Sequence, residues 1–220
     1  MRPFDYKRVS HGMTLFEVLA VLAAISLLLA MFLSTLPRRP HMRSQCINNL
    51  KQVALATRVW GVDNNDKYPT AVPATNGGAM EYITGPNAWK NFQVMSNELS
   101  TPKVVICPDE TDHSRFTATN FTYFNNSNIS FFIGVDANEA TPQAILSGDR
   151  NPTNGMPLKN ALLELTTNRP SGWNSEMHRT FGNIALADGS VLKVSNTGLR
   201  VAVANTGFET NRLQIPVLGP

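Results

Sequence analysis

The sequence predicts an α+β fold: a long amino-terminal helix, membrane-spanning in its first half, packed by its second half on a mostly antiparallel β-sheet. Three observations carry that expectation. The chain is almost continuously apolar over residues 18–36, a stripe of core-type residues at helical spacing follows, and the second half alternates short apolar segments with connections rich in Asn, Thr, Ser, Gly and Pro.

The apolar run comes first. Its nineteen positions would form a helix of about 28 Å, close to the hydrocarbon thickness of a bilayer. Residues 1–12 form a polar, basic leader ending at Gly12, and residues 13–36 are assigned to the spanning helix. A cleaved secretory signal fits poorly. Its apolar stretch is usually about 7–15 residues and ends in small residues, whereas this one carries Glu17 near its start and ends at Pro37-Arg38-Arg39-Pro40. Charge does not orient the span: Arg2, Lys7 and Arg8 precede it, and Arg38, Arg39 and Arg43 follow it.

Residues 37–220 are assigned to one globular domain, an economical count for 184 residues. Pro37 and Pro40 should kink or interrupt the connection to the membrane helix, since each lacks an amide donor. A second helix is expected over about residues 43–60, with Cys46, Leu50, Val53, Thr57 and Trp60 on one stripe and Gly61 as its stop. Strands are expected at residues 104–107, 121–124, 130–135 and 144–147; residues 158–165 fit either a strand or a short helix. Asp188-Gly189, between Ile184-Ala185-Leu186-Ala187 and Ser190-Val191-Leu192-Lys193-Val194, is a strong hairpin signal because both turn positions tolerate positive φ.

The segment Ser10-His11-Gly12-Met13-Thr14-Leu15-Phe16-Glu17 resembles the processing signal of type IV prepilins and type II secretion pseudopilins. The resemblance implies a pilin-like fold, cleavage after Gly12 by a prepilin peptidase, methylation of the new terminus at Met13, and a domain held outside the cytoplasmic membrane. It also gives Glu17 a partner, the free amine of a neighbouring subunit's Met13. On the residue alone, a second reading stands beside this one. A carboxylate at mid-membrane costs about 2.5–3.5 kcal/mol, but Glu17 lies in the first turns, where the helix dipole favours a negative charge by about 0.3–1 kcal/mol. Cys46-Ile47-Asn48-Asn49-Leu50-Lys51-Gln52, Asp63 to Pro69, Cys107-Pro108-Asp109 and the block from His178 to Val191 resemble a pseudopilin-like domain of unknown function from planctomycete-type bacteria. Thr180-Phe181 and Ser190 depart from that pattern, which usually has more glycine and a histidine after the Asp-Gly pair.

Cys46 and Cys107 are the two cysteines. Outside the cytoplasm they could form a disulfide; two buried free thiols are the alternative. The net charge of +3 falls once residues 1–12 are removed, because Arg2, Lys7, Arg8 and Asp5 leave with them and 16 basic residues face 15 acidic ones. The basic balance is thus no argument for nucleic acid, and no nucleic-acid partner is expected.

Chemical motifs are sparse. Asp63-Asn64-Asn65-Asp66 is oxygen-rich but lacks EF-hand spacing, with Lys67 where the third ligand would fall, and reads as a solvated turn. Cys107, His178 and Asp188 are the residue types of a thiol hydrolase, but nothing beyond types supports that reading: no nucleophile motif surrounds Cys107, Pro108 follows it directly, and His178 reads more simply as a hairpin cap. Asn120, Asn125 and Asn128 match the glycosylation pattern by composition, and Phe116, Phe121, Tyr123, Phe124, Phe131 and Phe132 read as core on alternate strand positions, with few basic residues among them to hold nucleic acid.

The expected function is therefore structural. The chain is read as a non-enzymatic subunit of a type II secretion pseudopilus or type IV pilus-like filament, with no cofactor, and with a prepilin peptidase, other pilin-type subunits and the inner membrane as partners. The rival is a membrane-anchored, extracytoplasmic binding domain that does not polymerise and uses loops around residues 63–86 or 166–174.

Overall fold

The computed structural model describes residues 12–34 and 38–218. The leader up to His11 and the expected breaker Pro37 lie outside the described residues. The chain divides into two compact units, Met1–Arg38 and Arg39–Pro220.

In the first unit, helix α1 (Leu15–Ser34) contains the apolar stretch Leu15–Phe32, long and apolar enough to cross a membrane. None of that stretch is buried by the protein itself. The Ser26 hydroxyl donates to the Ala23 carbonyl at 2.8 Å, so this polar group is satisfied within the helix.

The second unit is built on helix α2 (Arg38–Asp63). It starts five residues earlier than the expected residue 43, because Pro40 falls in the first turn, where a missing amide breaks no intrahelical bond. It also runs past Gly61. The stop comes at Asn65 and Asp66, both left-handed (φ 57°), after the amides of Asn64 and Asp66 each donate to the Gly61 carbonyl at 2.9 Å. Cys46, Leu50, Val53, Ala54, Thr57 and Trp60 are buried along the expected stripe.

That stripe covers one face of a six-stranded antiparallel sheet of order β4-β8-β1-β2-β6-β7. The strands are β1 (Phe131–Gly134), β2 (Ile145–Asp149), β4 (Leu162–Thr166), β6 (Phe181–Leu186), β7 (Val191–Ser195) and β8 (Thr210–Gln214); β3 (Pro152–Thr153) and β5 (Gly172–Trp173) pair separately. Period-two alternation sends Phe131, Ile133, Ala185 and Ala187 into a core with α2, and Phe132, Ile184 and Leu186 into a second core on the opposite face. That second face is covered by helix α5 (Asn196–Asn205) through Leu199, Ala202 and Val203. The sheet is thus sandwiched between two helices.

Residues 104–107 and 121–124 are not strands. Thr101 caps a 3₁₀ turn at Pro102–Val105 by accepting from the Lys103 amide, and Pro102 supplies the preset φ. At residues 121–124, Asn120 accepts from the Thr122 amide, and a capping box formed by Asn125 and Asn128 starts another 3₁₀ turn. These local side-chain bonds outcompete strand pairing. Asn128 is 1% exposed and donates to the Phe116 carbonyl, so its glycosylation match is a buried structural amide. Phe116 and Tyr123 are exposed, against expectation, while Phe124, Phe131 and Phe132 are buried. Residues 162–166 resolve the open segment as a strand, and the Asp188-Gly189 turn joins β6 to β7, with Gly189 at φ 87°.

Candidate functional site

At the start of α1, Thr14 and Glu17 form a reciprocal cap. Glu17 Oε2 accepts from the Thr14 amide at 2.8 Å and from the Thr14 hydroxyl at 3.1 Å, while the Glu17 amide donates to Thr14 Oγ1 at 3.3 Å. Two amides left orphaned at a helix start are satisfied this way. The carboxylate is held at the mouth of the helix, next to Met13, and Gly12 and Met13 are exposed there. In the sequence Glu17 stands out by the helix dipole alone; the cap is a further signal, carried by the ordinary spacing Thr14-x-x-Glu17.

The second cluster lies where the segment after the 3₁₀ turn crosses α2. Cys46 on α2 and Cys107 are disulfide-bonded, with 4.9 Å between their Cα atoms, and Asn49 Nδ2 donates to the Ile106 carbonyl at 2.9 Å beside them. His178 packs against this bridge. Its Nε2 is 3.4 Å from Cys107 Sγ and its Nδ1 is 3.0 Å from Asp109 Oδ2. A carboxylate only accepts, so Nδ1 carries the ring proton and Nε2 presents its lone pair toward the sulfur. Arg43 Nε approaches the same Asp109 oxygen at 3.5 Å. Burial holds His178 below the ordinary imidazole range, opposed by Asp109, so the neutral ring is favoured. His178 and Arg179 are consecutive left-handed residues (φ 46° and 61°), backbone held in an uncommon region at the site.

Behind His178 is Asp149, on β2 and fully buried. Its Oδ2 accepts from the Asn183 amide at 2.7 Å and from Asn183 Nδ2 at 2.9 Å, and stands 3.6 Å from His178 Nε2. Its Oδ1 is buried with no hydrogen-bond partner among the described residues. Burial pushes this carboxyl up to about 7, against the Asn183 hydrogen bonds. Glu110 is handled differently. Arg150 donates to it from Nε at 3.0 Å and from Nη2 at 2.8 Å, and the Ser130 hydroxyl donates at 2.8 Å. Burial pushes Glu110 up, but Arg150 and the Asp112 amide outweigh it and hold it below its ordinary value.

The thiol-hydrolase grouping is corrected by this geometry. Cys107 has its sulfur in a bridge, and Asp188 lies in the hairpin turn, where it accepts from the Ser190 amide at 2.8 Å and its carbonyl accepts from Arg58 Nη1 at 2.9 Å. The carboxylate partner of His178 is Asp109, so His178 is not a hairpin cap either. In the sequence Asp109 stands out only as the last residue of Cys107-Pro108-Asp109. Asp149 was missed altogether, though an acid closing the strand Ile145-Leu146-Ser147-Gly148-Asp149 was a readable signal.

Of the two loops named for a binder, residues 63–86 carry buried Tyr68, Thr70, Val72 and Ala79 and belong to the core. Thr166 and Arg169 of the other line an open depression of about 330 Å³ with Asn154, Met156, Lys159 and Glu164. Comparison of the chain with protein-family models, with curated proteins and with solved structures returned no match.

Proposed function

We propose that the chain is a structural subunit of a pseudopilus or type IV pilus-like filament. The supporting observation is one juxtaposition: Gly12 stands three residues before a 20-residue helix that buries none of its apolar span and has one carboxylate, Glu17, in its first turn. A helix exposed on every side in water is unstable, so lipid or other helices must cover it. On this reading a prepilin peptidase cuts after Gly12, Met13 becomes the methylated terminus, and the domain from residue 37 stands outside the inner membrane. Head-to-tail packing of α1 that does not close on itself then generates a helical filament.

Co-expression with a prepilin peptidase, followed by mass spectrometry of the intact chain, tests the first step. The chain should lose its twelve leader residues and gain a methyl group, and Gly12→Ala should block both. A chain that keeps its leader in both cases is an anchored protein of another kind, and the binder with the depression beside Arg169 then becomes the better account. Glu17→Ala should leave membrane insertion intact and abolish recovery in sheared filaments; normal recovery would remove Glu17 from assembly.

A further inference from the structure

We propose that the Cys46, Cys107 and His178 side chains form a three-ligand zinc site, with the fourth position left to water, when the disulfide is reduced, so that the junction of α2 with the sheet can be closed by either a covalent bond or a metal ion. This inference does not rest on the filament reading. The three donor atoms of Cys46, Cys107 and His178 lie within 4.8 Å of one another, all buried.

The distances can be compared with a tetrahedron. With Zn–S of about 2.3 Å and Zn–N and Zn–O of about 2.0–2.1 Å, its edges are about 3.5 Å for sulfur to nitrogen and about 3.3 Å for nitrogen to oxygen. Cys107 Sγ to His178 Nε2 is 3.4 Å. That edge is therefore already near its required length. The sulfur–sulfur edge must open from a covalent bond to about 3.8 Å, which reduction permits.

The surroundings also suit a metal. The proton on His178 Nδ1 goes to Asp109, which fixes the tautomer that leaves Nε2 free to ligate. Asp149 is a fully buried carboxyl whose Oδ2 stands 3.6 Å from His178 Nε2, a negative neighbour that favours a cation there. A pocket of about 10 Å³ lined by Arg43, Ile47, His178, Phe181, Asn183 and Lys193 adjoins His178. The donor set of two thiolates and an imidazole is soft enough for zinc and excludes calcium or magnesium.

The chemistry balances. A dithiol supplies two electrons and two protons, converting the Cys46–Cys107 bond to two thiols while closing to its own disulfide. Zn²⁺ then displaces those two protons, leaving two thiolates on the metal. Compartment redox poise selects the closure.

The test uses the full chain in detergent micelles, reduced with a phosphine that does not compete for metal, and titrated with Co²⁺ as a spectroscopic stand-in. One equivalent per chain should produce thiolate-to-cobalt charge transfer and the visible bands of a tetrahedral site, both lost on adding Zn²⁺, with near-ultraviolet circular dichroism retained or restored. His178→Gln should shift the visible bands and weaken binding by at least about 100-fold. Asp109→Asn, a positioning change, should keep the band positions and weaken binding by about 10–100-fold. If His178→Gln fails to form the oxidised fold, Asp109→Asn decides. Absence of charge transfer in the reduced chain, unchanged affinity in the deciding variant, or metal bound to a chain without near-ultraviolet signal would each overturn the site.

Discussion

Reducing the Cys46–Cys107 bond without changing any side chain should destabilise the second unit by about 4 kcal/mol. The bridge closes a sequence separation of 61 residues. In the chain-entropy treatment a loop of that size removes about 14 cal/mol/K from the unfolded state, hence about 4 kcal/mol at 25 °C. Because both sulfurs stay buried against His178, little packing is lost and the chain-entropy term should dominate. The assay is urea unfolding of the full chain in detergent, with and without a phosphine reductant, in the presence of a chelator to exclude metal. Fluorescence of Trp60 and Trp173, one in each core, reports both faces of the sheet. With a urea slope of about 2 kcal/mol/M, the midpoint should fall by about 2 M. A fall below about 0.5 M at unchanged slope would show that the native contacts between α2 and the Cys107 segment hold this loop closed without the bridge, and the loop-entropy argument would be wrong.

Other perturbations address separate features. Arg150→Met strands Glu110, whose side chain is 6% exposed, and should cost about 3–5 kcal/mol at neutral pH. Glu110 is held below its unfolded value, so its contribution is present above the ordinary carboxylate value of 4.5 and fades as pH falls through the lower folded value; acid titration of thermal stability should show that loss, whereas in Arg150→Met protonation relieves the stranded charge and the deficit against the parent chain should shrink as pH falls. Gly182→Ala places a methyl group 2.5 Å from the Trp173 ring and should cost about 1–3 kcal/mol, read as a lower melting temperature; an unchanged melt would mean that the ring moves freely. Ser195→Ala removes the oxygen that accepts from the Gly198 amide at the start of α5 and should cost about 1 kcal/mol in urea unfolding.

The parts of the fold legible in the sequence are those in which local signals and burial agree. The stripe from Cys46 to Trp60, the Asp188-Gly189 hairpin and strands β1 and β2 each show a clear periodicity or turn signal. Helix α5 was not read, because Asn196, Thr197 and Gly198 are poor helix formers and its core contacts, Leu199, Ala202 and Val203, span barely one turn. Strand β8 carries Thr210, Asn211 and Arg212 and looks polar, yet Asn211, Leu213 and Gln214 are buried between β4 and β1. The disulfide was one of two alternatives, since spacing says nothing about distance. The His178 cluster was only partly legible because its members come from α2, the segment after a 3₁₀ turn, β2 and the entry to β6. Residue types named His178 and Cys107 together, but only the fold could exchange Asp188 for Asp109 and bring in Asp149.

The place of β8 between β4 and β1 has a consequence for synthesis. A polypeptide made amino end first has α2, β1, β2 and the β6–β7 hairpin in hand while β1 and β4 still lack their shared neighbour. Two raw seams stay open until Thr210–Gln214 emerges, and each is a template for another chain's strand. A message truncated before codon 210 would therefore yield a divided sheet prone to sticking to its siblings, and the tail works as the keystone of the domain.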